Sequence, residues 1–448
     1  MSDEHIQLYV GLDDTDSPRI YCTTYATFKT VKAILSEYNV RFLDYTLLVR
    51  LNPNIPWKTR GNGALCLRIE YDEGLENRIK KATIDLVEEQ ADLSLKGTDP
   101  GIVFFKKTEI PEEAKTFAKN AMTGIVTLKE ALRIIRKFEA EALGFNTRRG
   151  IIGALAAIGE TLANDHTYEL IAYCLPENYV SKRRVDEASI FEMDKLTQPC
   201  TFNNVDTEKG RVIITPRGPD PILFGVRGET PDIVKKAFGL VKPLEPLERW
   251  VIFRSNQGTD AHLKRAATLG QLLRFNSVIA KGVVSRNPRI IPLRHVIFSI
   301  KDESGEVDCA AYEPTGALRR VARELIMGDC IEAYGAVRKP SAGKPLTINL
   351  EKIKILSLAP KIAYQNPLCP KCGKRLKSMG KDQGFRCEKC GTRDRDIGKV
   401  AVDVKRELEV GLYVTSTRSQ RHLTKPLVRY GQEKQSATEG MIEEWHSS

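Results

Sequence analysis

Asp13, Asp14 and Asp16 fall within the run Gly11-Leu-Asp-Asp-Thr-Asp-Ser17, and Cys22-Thr-Thr24 follows it closely. Carboxylates followed by hydroxyls suit a divalent cation carrying phosphates, because Mg²⁺ takes oxygen ligands and a helix N-terminus attracts anions. The elements that must position these groups are legible on both sides. Ile6, Leu8, Val10 and Leu12 alternate with Gln7, Tyr9 and Gly11, the period-2 pattern of a half-buried strand. Tyr25, Phe28, Val31 and Leu35 recur at helical spacing, which puts Thr23 and Thr24 at the start of a helix. A nucleotide site is the expectation. Spacing alone also leaves open an acidic turn whose Asp and Ser side chains bond their own backbone.

A second cluster lies in the loop from Arg50 to Ala64, which carries Lys58, Arg60, Gly61 and Gly63. Lys58 and Arg60 could clamp phosphates while the glycines let backbone N–H groups approach them; a solvated basic loop is the plainer alternative. A third lies in the turn Pro216-Arg-Gly-Pro-Asp-Pro221, where Arg217 and Asp220 could meet a charged substrate, although Pro-Asp-Pro is above all turn chemistry. The strongest motif is Cys369-Pro-Lys-Cys372 with Cys387-Glu-Lys-Cys390, each pair followed by glycine. That spacing brings four thiolates to one Zn²⁺, and a site filled by four protein ligands is structural. A redox motif is the alternative.

The chain has 448 residues, 42% of them hydrophobic, and a net charge of +11. It is long enough for several domains, and its charge points to a polyanionic partner, nucleic acid first. No signal-peptide pattern or membrane-length apolar run is visible, and the other six cysteines are scattered, so a cytoplasmic protein without a disulfide framework is expected. Strands at 41–50, 64–70 and 101–105 with a helix at 74–90 read as a mixed α/β domain, followed by a mostly helical stretch at 111–163. Strands at 168–174, 210–215 and 222–226 and a helix at 231–240 suit a ferredoxin-like α+β sandwich. Strands at 278–284, 295–301, 307–312, 330–337 and 347–356, with a helix at 317–326, follow the order of an OB-fold. Such a barrel binds single strands through a basic groove, for which Arg254, Lys264, Arg286, Arg294 and Arg338 are available. Arg418, Arg421, Lys425 and Arg429 make the following tail basic, and its polar ending reads as disordered.

With these motifs in this order, the sequence resembles the archaeal 2-agmatinylcytidine synthetases, which modify the wobble cytidine of an isoleucine tRNA, over nearly its whole length. The resemblance implies a multidomain α/β and α+β protein: an ATP-binding kinase-like domain at 1–140, a ferredoxin-like agmatine-binding domain at 141–245, an OB-fold β-barrel at 246–360, a zinc ribbon at 361–410 and a basic C-terminal segment and tail at 411–448. It implies ATP-dependent ligation: phosphorylation activates the oxygen on C2 of the cytosine and the primary amine of agmatine displaces it, so that the CAU-anticodon tRNA reads AUA codons. A ring oxygen is a poor leaving group until it is a phosphate ester, which gives the ATP requirement a chemical reason. On this resemblance Asp13, Asp14 and Asp16 hold Mg²⁺, one of them serving as base, and Thr23 takes a phosphoryl group. Lys58 and Arg60 would steady the nucleotide or the cytidine, with Ser17, Thr24, Gly61 and Gly63 expected beside them; for agmatine, whose guanidinium matches a carboxylate, Asp220 is the first candidate, with Arg217 in the same turn and Asp206 and Glu187 behind it. ATP, Mg²⁺ and Zn²⁺ are the implied cofactors and tRNA and agmatine the implied partners, with no membrane and no obligate protein partner expected. A non-catalytic single-strand-binding protein is the other class; it would not need the aspartates, and ATP turnover that depends on both tRNA and agmatine separates the two.

Overall fold

A computed structural model of the chain describes residues 6–338, 346–437 and 440–447. The first strand, β1 (Ile6–Asp13), buries Leu8, Val10 and Leu12 on one face and Tyr9 on the other, as its alternation dictates. Helices therefore cover both sides. The helix α1 (Thr23–Glu37) packs Phe28, Val31 and Ile34 onto the first face. Beyond it come β2 (Val40–Phe42), β3 (Leu47–Arg50), β4 (Gly63–Tyr71), α2 (Glu76–Glu89) and β5 (Gly101–Phe105). The stretch expected as one strand from 41 to 50 is two, because the chain turns at Asp44 to reach Arg68 and Arg254. The second face is covered by α3 (Glu112–Thr123), α4 (Leu128–Lys137) and α5 (Gly150–Gly159), and β6 (Glu141–Gly144) interrupts the expected helical stretch by pairing with β5.

The second unit holds β7 (Thr167–Cys174), α6 (Glu187–Thr197), β8 (Thr201–Phe202), β9 (Val205–Asp206), β10 (Arg211–Val212), β11 (Ile222–Gly228), α7 (Pro231–Leu240) and β12 (Leu247–Ser255). The two units share one sheet, in the order β6-β5-β1-β4-β3-β12-β7-β11-β8, with β2 on β4. The seam is β12, which runs parallel to β3 through Arg254↔Leu47 and Ser255↔Leu48 and antiparallel to β7. By its pairing β12 lies in this sheet and not with the strands that follow it. Arg254 is correspondingly buried and bonded to Asp44 and to the Leu162 carbonyl, which removes it from the expected RNA groove.

The third unit comprises β13 (Lys264–Arg265), β14 (Ser277–Ile291), β15 (His295–Lys301), β16 (Glu306–Ala311), α8 (Ala317–Glu324), β17 (Cys330–Arg338) and β18 (Thr347–Ser357). Its pairings run β14-β15-β16-β18-β17, and β17 pairs back onto β14. The ribbon region has β19 (Ile362–Gln365) paired with β23 (Val400–Asp403), and the short sheet β20 (Lys377–Ser378), β21 (Phe385–Arg386), β22 (Arg393–Asp394).

The C-terminal segment overturns the expectation of a disordered ending wherever it is described. After β24 (Gly411–Val414) pairs with β18, the chain crosses back over the large sheet. Its His422 and Leu423 carbonyls accept from the Gly258 and Asp260 N–H groups at 2.7 and 2.8 Å. Arg429 is fully buried between Glu229 and Asp165. Trp445 is 6% exposed, packs against Phe42 and Tyr45, and its carbonyl accepts from the Ile252 N–H at 2.8 Å. Arg418 is bound to Asp206 and Glu208, and Lys425 to Glu433 and Asp165. Arg421 differs from the other three tail cations in donating to an amide, Asn54, on the wall of an open cleft. The charges expected to grip phosphate are largely spent on internal acids, so removing residues from 411 onward would dismantle the fold, not merely lower its charge. Trp445→Ala should lower the free energy of unfolding by about 3 kcal/mol, read by chemical denaturation; an unchanged midpoint would mean the segment is not part of the folded unit.

Candidate active site

At the end of β1 the backbone turns through Asp14, whose φ of 63° lies in the left-handed region. The turn brings Asp16 back over the start of α1, where its Oδ1 accepts from the Thr23 N–H at 2.6 Å and the Thr23 hydroxyl at 3.2 Å. Cys22 holds the cap position without a side-chain cap bond, so Asp16 satisfies the helix from a distance. Asp13 rests against α5: a Cβ on Gly153 would lie 1.8 Å from its Oδ2, so only glycine leaves room for the carboxyl there. Lost hydration and the Asp14 charge hold the Asp13 carboxyl well above the usual carboxylate range. Asp14 is pushed up to about 7 by lost hydration, Asp99 and Asp16, against the pull of Arg149.

Asp99 and Arg149 were not singled out from the sequence; Arg149 lines this pocket and Asp99 acts on Asp14 through its charge. Asp99 is buried, pairs with Arg149 at 3.0 Å and accepts from the Thr147 N–H at 3.0 Å. Its sequence signal was masked by the Thr98-Asp99-Pro100 turn. Gly150 and Gly153, one helical turn apart, were the available sign that α5 approaches another backbone closely.

Three cavities open on one another around the loop between β3 and β4. The first is lined by Asp13, Asp14, Asp16, Thr23, Trp57 and Arg149. The second, of about 290 Å³, lies between the two halves of the sheet and combines Asp16, Glu169 and Asp220 with Arg50, Arg60 and Arg227. The third, of about 640 Å³, is cationic, with Lys58, Arg217, Arg338, Arg418 and Arg421 on its wall. Asp16, Thr23, Arg60 and Gly63 belong to both the first and the second, Lys58 to both the first and the third, and Arg50, Gly61, Arg227 and His422 to both the second and the third.

The structure thus redistributes several residues expected on the nucleotide. Ser17 is buried and its hydroxyl accepts from the Arg19 N–H at 3.1 Å, a turn contact away from all three cavities. Thr24 and Gly61 face the second cavity and not the first. Lys58 donates to the Arg60 carbonyl at 2.8 Å. Arg60 binds the Asp220 carboxylate and donates to the Ser17 and Pro219 carbonyls at 2.6 and 2.7 Å. Asp220 is 8% exposed, and lost hydration pushes its pKa up to about 6 against the pull of Arg60. Arg217 lies on the cationic cavity, apart from Asp220. Asp206 is taken by Arg418, and Glu187 lines a separate cavity.

Among the described residues, the four cysteines are the one group of three or more acid, histidine or cysteine ligands within 4.8 Å of one another. The aspartates are spread more widely than a ready-made three-carboxylate cage, because Asp16 is committed to Thr23 and Asp13 to the wall of α5. The cysteine sulfurs fit a metal closely. Cys369 and Cys390 are 3.5 Å apart and Cys372 and Cys387 3.4 Å, near the ~3.8 Å edge of a tetrahedron with ~2.3 Å Zn–S bonds. Gly373 and Gly391, at φ 68° and 72°, supply the left-handed turns that let their N–H groups donate to the Cys369 and Cys387 carbonyls.

A carboxylate-lined pocket, a mixed-charge pocket and a cationic cleft with shared walls are the layout of an enzyme that joins two substrates with the help of a nucleotide, one of them a polyanion. Family models agree with that class: the TiaS TCKD domain matches residues 9–147, the TiaS FLD domain 148–262, the OB-fold nucleic acid binding domain 278–356 and the TiaS C-terminal zinc ribbon domain 366–408. The isoleucine-tRNA 2-agmatinylcytidine synthetase TiaS of Methanocaldococcus jannaschii is 41% identical over 94% of this chain and 98% of its own length. That of Pyrococcus horikoshii is 42% identical over 94% of this chain and 97% of its own. A solved complex of a TiaS with its isoleucine tRNA and ATP superposes with a TM-score of 0.86 at 40% identity, covering 95% of this chain and 98% of that one. A complex of a TiaS with the same tRNA, AMPCPP and agmatine does so with a TM-score of 0.83 at 38% identity, with the same coverage. The chain belongs to the TiaS family of isoleucine-tRNA 2-agmatinylcytidine synthetases.

With so small a core, a ribbon of this kind needs a metal on its four cysteines to fold. Cys387→Ser should reduce bound zinc to near zero and weaken RNA binding while nucleotide binding persists; full zinc occupancy in that variant would remove Cys387 from the ligand set.

Proposed function

We propose that this protein ligates agmatine to C2 of the wobble cytidine of the CAU-anticodon isoleucine tRNA, using ATP, at the meeting point of the three cavities. The observation that carries the reading is that a single loop, from Arg50 to Gly63, walls all three, in a chain whose relatives have been solved with isoleucine tRNA, ATP, an ATP analogue and agmatine. The first cavity takes the nucleotide phosphates, the second agmatine, and the cationic third the anticodon, whose target base must leave its stack to reach the others. Among the described residues no helix is long and apolar enough to cross a membrane.

Thr23 stands where the first two cavities meet. Its Oγ attacks the phosphorus, Asp16 Oδ1 takes the hydroxyl proton across the 3.2 Å contact, and the P–O bond breaks with its electron pair leaving on the nucleotide. The phosphoryl group then stands beside the amine cavity, ready to pass to the cytosine oxygen. Asp13 and Asp14, whose carboxyls are held above the usual carboxylate range by lost hydration and by neighbouring acids, suit a divalent cation that would offset their crowded charge. Mg²⁺ would be held by Asp14 with Asp13, together with phosphate oxygens, and would neutralise phosphate charge there. Arg60 links the two substrates: agmatine's guanidinium displaces it from Asp220 and frees it to face the nucleotide cavity it already lines. The four cysteines hold structural Zn²⁺.

Thr23→Ala removes one hydroxyl whose hydrogen bond contributes about 1 kcal/mol to stability, so the variant should fold and bind ATP and tRNA yet make no agmatinylcytidine. Near-normal turnover would show that ATP phosphorylates the cytidine directly. Asp14→Asn should lower product formation about a hundredfold or more with tRNA affinity unchanged.

Asp220 is ionised above about pH 6 and neutral below it. The KM for agmatine should therefore climb as pH falls from about 7 to about 5, and Asp220→Asn should abolish that dependence. An Asp220→Asn enzyme with the wild-type KM and the wild-type profile would place the guanidinium elsewhere.

A further inference from the structure

We propose that His422 is the general base of amine transfer, its Nε2 taking the proton that agmatine's nitrogen sheds as it bonds to C2 of the cytosine. The inference rests on the cavity assignments above and goes on to name a residue that acts at their junction.

His422 lies on the C-terminal segment, half-buried, at a position that walls both the amine cavity and the cationic cavity. Its ring is oriented from one side. Nδ1 lies 2.9 Å from Gln257 Oε1, and Gln257 turns its Nε2 to donate to Glu169. Glu169 is an acceptor held by Arg227 at 2.9 Å and Arg50 at 3.7 Å, so the amide of Gln257 must present its N–H₂ there and its oxygen to the ring. Nδ1 therefore carries the hydrogen and Nε2 the lone pair. Arg227 Nη2 lies 3.3 Å from Nδ1, farther than Gln257 Oε1, and with Nδ1 protonated this is a charge contact and not a hydrogen bond.

Among the described residues Nε2 has no hydrogen-bond partner. It faces Gly61, where a Cβ would lie 2.8 Å from it and 2.8 Å from Arg50 Nη1, so the glycine leaves room for a small group between the ring and that guanidinium. The charged groups around the ring are Arg50 from β3, Lys58 from the loop, Glu169 from β7 and Arg227 from β11, with Arg421 next in the chain. Lost hydration and the Arg50, Arg227 and Lys58 charges hold the imidazole well below its usual pKa, which keeps it neutral at physiological pH and makes it a weak base.

The same cations act on the substrate. An ammonium near Arg50 and Arg227 gives up its first proton to solvent more readily, as a lysine beside another cation does. The neutral amine's lone pair forms the N–C2 bond, and the C2–O bond breaks with its electrons leaving on the phosphate. The nitrogen, acidified by its new bond, releases one proton to Nε2, from which it passes to solvent. Because that nitrogen is acidic only once the bond is forming, a weakly basic imidazole suffices.

The test uses the full-length enzyme with tRNA, ATP and agmatine. His422→Asn retains a donor toward Gln257 but offers no base, and His422→Ala leaves a hole the size of the ring. Both should bind ATP and tRNA and show little change in KM for agmatine, while kcat falls by about 10² to 10⁴. Added imidazole should restore the alanine variant, increasingly as pH rises and imidazole loses its own proton. A His422→Asn enzyme with near wild-type kcat, or an alanine variant that imidazole does not rescue, would overturn the role of His422. Failure of the wild type to attach agmatine to the tRNA would instead overturn the reading on which it rests.

Discussion

The parallel pairing of β12 with β3 is the constraint on which the active site depends. Without it the N-terminal α/β unit and the second unit would be two sheets with free edges, and the loop that leaves β3 at Arg50 would hang at the rim of one of them. With it, Ser255 lies beside Leu48, the two sheets become one, and the loop rises from the seam. Asn256, just beyond the paired strand, holds Arg50 from both sides, accepting from its N–H at 2.8 Å and donating to its carbonyl at 3.0 Å. The residues that separate the three cavities are thus anchored to a buried part of the molecule.

Charge is sorted across that seam. The carboxylates at the end of β1 are crowded and stripped of water, which holds Asp13 and Asp14 above the usual carboxylate range. On the other side, Arg50, Arg227 and Lys58 crowd a single neutral imidazole. Glu169 stands between, tied to two guanidiniums and through Gln257 to the ring. Buried charge of this kind is expensive to maintain and is kept where each group has a partner. The C-terminal segment contributes to the same network: its return path sets His422 into the wall and closes over the sheet with Arg429 and Trp445, so a segment distant in sequence helps build the cavity.

Short-range patterns were enough for much of this. The alternation in β1, the helical spacing after Thr23, the cysteine pairs with their glycines and the strand order of the third unit are all properties of neighbours in the chain, and each element formed close to where its pattern placed it. The crowding of Asp13, Asp14 and Asp16 was visible for the same reason. What only the tertiary structure decided were relations through space: that Asp99 and Arg149 join the aspartates, that Asp16 caps α1 and touches Thr23, that Arg60 spans to Asp220 and that His422 arrives from the far end of the chain. The basic tail shows the physical reason most plainly. Arg418, Lys425 and Arg429 read as cations awaiting phosphate because charge can be counted along a sequence, whereas the acids that neutralise them, Asp206, Asp165 and Glu229, are brought to them only by folding.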